Sequence, residues 1–144
     1  MPNSLAQLLN RRVLIADGAM GTMLQSFGEL SLEDDFLGLE GCNEILNVTR
    51  PDVVAAVHRA YFEAGSDAVE TNSFGTNLAA LGEYDIPERI AELAQAGAEI
   101  ARRAADAAAT PDQDGIAVIA KSPFAMQVRK PAPREETPAA TPQQ

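Results

Sequence analysis

The sequence predicts a parallel α/β fold of about three strand–helix units followed by a tail without secondary structure. Three observations carry this. Short continuous apolar runs alternate with segments of helical periodicity, glycine-containing turns close the runs, and the composition changes abruptly near residue 121. Such alternation is the pattern of βα units joined by right-handed crossovers, and it suits either a doubly wound sheet or a (β/α)8 barrel.

Taken in order, Leu5, Leu8 and Leu9 fall at helical spacing behind Ser4, a candidate N-cap. Val13–Ala16 reads as a strand buried on both faces and runs into the turn Asp17-Gly18-Ala19-Met20-Gly21-Thr22. Residues 25–48, with glycines at 28, 38 and 41 and the acids Glu33, Asp34 and Asp35, predict a long irregular excursion. Loops of that length are uncommon in compact domains and are often functional. Thr49 as N-cap, Pro51 in the first turn and Asp52 behind it predict a helix near 51–64. Its apolar face is Val54, Val57, Tyr61 and Ala64, and Gly65 is a natural terminator.

Asp67–Asn72 is the second expected strand. The capping pattern Asp85-Ile86-Pro87-Glu88 predicts a helix near 87–108, striped by Ile86, Ile90, Leu93, Gly97, Ile100 and Ala104 and ended by Thr110-Pro111. Ile116–Ala120 is the third strand. The expected domain is therefore residues 1–120. Residues 121–144 hold both lysines and 5 of the 9 prolines, and they read as a disordered Pro/Ala-rich tail.

The 144 residues are 46% hydrophobic, but 26 are alanine and 7 aromatic, so each residue contributes little buried area. The net charge of −10 argues against phosphate-backbone binding. No run is long enough to span a membrane and no basic segment precedes the first apolar stretch, so no membrane partner is expected and a cytoplasmic location is. A single cysteine, Cys42, excludes an internal disulfide and a multi-thiolate metal site within the chain.

In both parallel architectures a ligand sits beyond the carboxyl ends of the strands. That rule selects Asp17-Gly18 after the first strand and Glu70-Thr71-Asn72 after the second. Turn N–H groups can meet an anion, and two carboxylates can meet a cation; together they suit a zwitterionic amino acid. The same features also occur as plain structure, since DGxxG lacks both P-loop and dinucleotide spacing and strand-end acids often cap helices. His58, between Val57 and Arg59, is expected at a helix surface or interface, and the Glu33–Asp35 acids in solvent.

The segments LIADGAMGTMLQ and LEGCNEILNVTRPDVVAAVHRAYFEAGSDAVETNSFGTN resemble the opening of the homocysteine-binding domain of cobalamin-dependent methionine synthases. The resemblance runs from about residue 11 to about residue 108 and rests on two long motifs in the right order. Betaine- and S-methylmethionine-dependent homocysteine methyltransferases share the DG-type first turn, but the CNEILN…RPDVV run is more like the cobalamin enzymes. The resemblance implies a (β/α)8 barrel of which this chain supplies part. It also implies a substrate site that includes Asp17, Gly18, Glu70, Thr71 and Asn72, and a zinc ion that holds the homocysteine sulfur as a thiolate. The methyl group would come from methylcobalamin, recharged by methyltetrahydrofolate on other modules.

The chain departs from that pattern. The family's three zinc cysteines lie in later strands, Cys42 is not at a ligand position, and no D-x-H-x-x-G cobalamin motif occurs. After the third strand, Lys121-Ser122-Pro123 replaces the family's Gly-Pro loop, which points to a shortened or frame-shifted product, natural or deliberate. The expectation is a homocysteine-binding portion of a methionine synthase, inactive alone, with no catalytic or metal residue of its own and no zinc or cobalamin bound. Its partners would be homocysteine and, in the assembled enzyme, the missing barrel half or the cobalamin and folate modules. The alternative is a non-catalytic remnant or protein-interaction fragment. Val13, Ile15, Val69, Ile116 and Ile119 are expected to expose apolar surface that further units would cover.

Overall fold

The computed structural model describes residues 5–109 and 117–119. The elements run α1 (Leu5–Leu9), α2 (Met20–Ser26), a 3-10 turn (Asn43–Ile45), α3 (Leu46–Thr49), α4 (Pro51–Glu63), β1 (Ala68–Glu70), α5 (Leu78–Glu83), a second 3-10 turn (Pro87–Arg89), α6 (Ile90–Ala108) and β2 (Ala117–Ile119). Ser4, Thr110-Pro111, Ile116, Ala120 and the expected tail at 121–144 lie outside the described residues.

β1 pairs with β2 in parallel, Val69 opposite Val118 and Glu70 opposite Ile119. The first expected strand is reduced to one parallel bridge, Ala16 with Ala68, held by Asp17 N–H to Ala68 O at 2.9 Å and Ala68 N–H to Ile15 O at 3.2 Å. Its side chains explain the loss: Val13 is 84% and Ile15 59% exposed, so no packing extends the pairing. Val69, expected to be exposed with them, is fully buried instead with Phe62, Ala101 and Ala105, where α4 and α6 cover the sheet.

Three apolar clusters build the core. Leu24, Leu46, Val54, Val57 and Ile100 join α2, α3, α4 and α6. Cys42, Ile45, Leu81 and Leu93 seal the excursion against α5 and α6. The third is the α4–α6–β1 layer. Alanines on α6 let it lie close to α4 and the sheet, which is how a chain poor in aromatics buries a core.

Helix ends correct several sequence expectations. Thr49 does not cap α4; it closes α3, its hydroxyl donating to Asp35 O at 2.6 Å. The residue ahead of α4 is Arg50, outside the helical conformation at φ −137° and ψ 58°, with its guanidinium on Asp52 and Asp35. Asp35, expected in solvent, is thus partly buried and also accepts from Ser31 N–H. Gly65 ends α4 as expected: at φ +103° it places its N–H on Phe62 O and that of Ser66 on Tyr61 O.

Asp85 does not cap the last helix. It plays Gly65's role for α5, a helix too short for the sequence pattern to announce. At φ +57° it sends its N–H to Gly82 O and that of Ile86 to Leu81 O. α5 begins on Asn77, whose Oδ1 accepts from Ala80 N–H at 2.9 Å. His58, expected at a surface or interface, is fully buried on α4, and neither ring nitrogen has a hydrogen-bond partner among the described residues.

Candidate functional site

The strand ends bring the two selected segments together. Asp17 Oδ1 accepts from the backbone N–H of Glu70 at 3.0 Å, tying the turn after Ala16 to the end of β1. Thr71 N–H continues the sheet by donating to Ile119 O at 2.9 Å. Beyond it the chain folds back: the Thr71 and Ser73 hydroxyls share a 2.6 Å hydrogen bond, and Thr76 donates from N–H and Oγ1 to Ser73 O. Thr71, Asn72, Ser73 and Thr76 are all buried, so this polar stretch survives inside the fold because it satisfies itself.

A cavity of about 220 Å³ opens at this point, and Asp17, Gly18, Glu70, Thr71 and Asn72 all line it. The turn after Ala16 also supplies Met20 and Gly21, and the end of β1 supplies Ser73 and Phe74. Sequence reasoning missed Asn43 and Glu44, which the 3-10 turn brings from the far end of the excursion. Their signal was the pair of apolar residues behind them: Ile45 and Leu46 are fully buried and anchor the turn. Glu44 Oε1 accepts from Gly75 N–H at 2.8 Å, so the third wall is tied to the second.

The glycines of the first turn serve proximity rather than a left-handed bend, since neither has a positive φ. A Cβ at Gly18 would lie 3.1 Å from the Tyr61 hydroxyl, which reaches up from α4 to donate to Ala19 O at 3.0 Å.

The described lining carries three carboxylates, from Asp17, Glu44 and Glu70, and no basic side chain. Such a wall favours a cationic group on the ligand. The volume suits a small metabolite, below the ~300–1,000 Å³ of drug-sized sites. A larger groove of about 540 Å³ runs between α4 and α6, with Arg59, Phe62, Arg103 and Ala108 on its walls. It lies at the carboxyl ends of those helices and holds none of the strand-end residues.

The described residues do not fit a zinc centre. No grouping of three His, Cys, Asp or Glu side chains among them is placed to hold a metal. Cys42 sits fully buried among Ile45, Leu81 and Leu93, and burial raises its thiol pKa. Among the described residues no helix is long and apolar enough to cross a membrane.

A family model described as homocysteine S-methyltransferase matches residues 14–132. The methionine synthase of Mycobacterium tuberculosis is 62% identical over 109 residues, which is 76% of this chain and 9% of that protein. That of Mycobacterium leprae is 62% identical over 108 residues, 75% of this chain and 9% of the relative. The chain thus spans about a tenth of the length of the methionine synthases it matches. Among solved structures, the oxidized form of the homocysteine methyltransferase MmuM from Escherichia coli superposes with a TM-score of 0.64 at 28% identity, over 81% of this chain and 39% of that one. Its metallated form gives 0.64 at 27% identity, over 82% and 40%. With the family model running from the first strand-end turn through both strands, this chain belongs to the homocysteine S-methyltransferase family.

Proposed function

We propose that the strand-end cavity is the amino-acid-binding part of a homocysteine site, and that the chain is the N-terminal portion of a (β/α)8 barrel that transfers a methyl group to homocysteine to give methionine. The observation that carries this reading is the junction of Asp17-Gly18 with Glu70-Thr71-Asn72 around one small, carboxylate-lined cavity. The carboxylates of Asp17 and Glu70 attract the substrate ammonium. Backbone N–H groups of the Gly18–Gly21 turn receive its carboxylate, and Thr71 and Asn72 shape the wall. These residues hold and orient the amino-acid end and leave the sulfur to groups that the described residues do not supply.

On this reading the zinc and cobalamin of the family act only once other segments join, so the chain alone binds substrate without turning it over. Its partners are homocysteine and, for catalysis, the remaining barrel and the cobalamin and folate modules, in the cytoplasm. The exposed Val13 and Ile15 also favour a second reading, a non-catalytic interaction fragment whose sheet face docks on another polypeptide. Calorimetric titration with L-homocysteine decides between them. The first reading expects saturable binding, weakened about tenfold by Asp17→Asn through loss of one charged contact. The second expects no binding up to millimolar ligand.

A further inference from the structure

Asn47 lies outside the cavity, on α3, almost fully buried. Its Nδ2 donates to Asn72 O at 2.7 Å and to Leu93 O at 3.0 Å, and both of those carbonyls can only accept. The nitrogen end of the Asn47 amide is therefore fixed, and its Oδ1 is left to accept. It does so from Asn72 Nδ2 at 3.0 Å, while the second N–H of that same group goes to Asn43 O at 2.9 Å. Turning the Asn72 amide over would set its oxygen against two other oxygens. The orientation of Asn72 is thus dictated by groups around it, and within the described chain its Oδ1 takes no hydrogen bond. Asn72 lines the cavity. The fold also makes room for the pair: a Cβ at Gly97 would lie 2.7 Å from Asn47 Nδ2 and 2.9 Å from Asn72 O.

We propose that Asn47 is a positioning residue that sets the polarity of the cavity wall. By locking the Asn72 amide it presents Oδ1, an acceptor, and not Nδ2, a donor, to whatever enters. An acceptor there selects a ligand with a donor, the ammonium of an α-amino acid, over the same ligand without one. This deepens the homocysteine reading and rests on it.

The test compares L-homocysteine with 4-sulfanylbutanoic acid, which lacks only the amino group, on the full chain. Asn47→Ala is expected to lower the affinity ratio between the two ligands about tenfold, the effect of losing one hydrogen bond to a charged group. A purely structural Asn47 would weaken both ligands alike, and that result overturns the proposal. If Asn47→Ala does not fold, the unaltered chain still decides. The 13Cγ resonance of Asn72 should move with L-homocysteine and stay in place with 4-sulfanylbutanoic acid. A 13Cγ that ignores bound L-homocysteine, or that responds equally to both, contradicts the inference alone. Failure of the unaltered chain to bind L-homocysteine removes the homocysteine reading and the inference with it.

Discussion

Asp17 and Glu70, 53 residues apart in sequence, are joined by a 3.0 Å hydrogen bond from the Glu70 N–H to Asp17 Oδ1. This side-chain contact reinforces the backbone bridge between the two strand ends that form the cavity, so Asp17 has a structural duty beside its charge. Asp17→Ala should lower stability by about 1 kcal/mol in urea unfolding, because it strands a strand-end N–H. Asp17→Asn keeps an acceptor and should melt nearly as the parent does while binding L-homocysteine more weakly. Equal stability loss in both variants would count against this division of roles.

His58 is buried without a hydrogen-bond partner among the described residues, and burial alone pushes its pKa down to about 4. Unfolded, it titrates near 6.5. Above that pH the imidazole is neutral in both states and costs nothing extra. As pH falls from about 6.5 towards 4 the unfolded chain binds the proton first, so stability should drop, by up to about 3 kcal/mol. His58→Leu should abolish this slope and be neutral or stabilising at pH 7, since it removes two unsatisfied polar atoms. Chemical denaturation across that pH range checks both.

Asp67 anchors the first strand segment, taking two hydrogen bonds from Arg12 at 2.7 and 2.9 Å and one from Ile15 N–H at 2.9 Å. The Arg12 guanidinium holds its pKa below the usual carboxylate value. The stabilisation is present above the unfolded pKa near 3.9 and fades as pH falls through the lower folded value. Arg12 is half exposed, so the pair is worth at most about 1 kcal/mol. Asp67→Asn should remove that acid-side loss, and amide exchange at Ile15 and Asp17 should quicken.

Gly97→Ala tests packing. The added methyl would meet Asn47 and the Asn72 carbonyl well inside contact distance, and a neighbour would have to move. A loss of about 1–3 kcal/mol is expected, against the slight gain from alanine at an ordinary mid-helix glycine. A thermal melt at or above that of the parent would contradict the packing account.

How much of this was legible beforehand follows from physical range. α4, α6 and the parallel pairing of β1 with β2 were readable because 3.6-residue stripes and an apolar run announce themselves locally. That the five strand-end residues line one cavity was reachable because both segments stand at the carboxyl ends of parallel strands, where such folds open their clefts. Asn43 and Glu44 were not, since only burial of Ile45 and Leu46 carries them to the cavity. α5 escaped because its six residues show less than two turns of periodicity, and its Asp85 terminator imitates an N-cap. The first strand is shorter than its apolar run implies, because such a run makes a strand only if something packs on it, and Val13 and Ile15 are exposed.

The central claim is that the strand-end cavity, not the larger groove between α4 and α6, takes the ligand. Chemical-shift mapping of the 15N-labelled chain with L-homocysteine tests it most directly. Perturbed amides should cluster at Asp17–Gly21, Asn43–Glu44 and Glu70–Phe74, leaving Arg59, Ser66 and Arg103 unmoved. Perturbations centred on those last three residues, or no saturable perturbation at all, would contradict it.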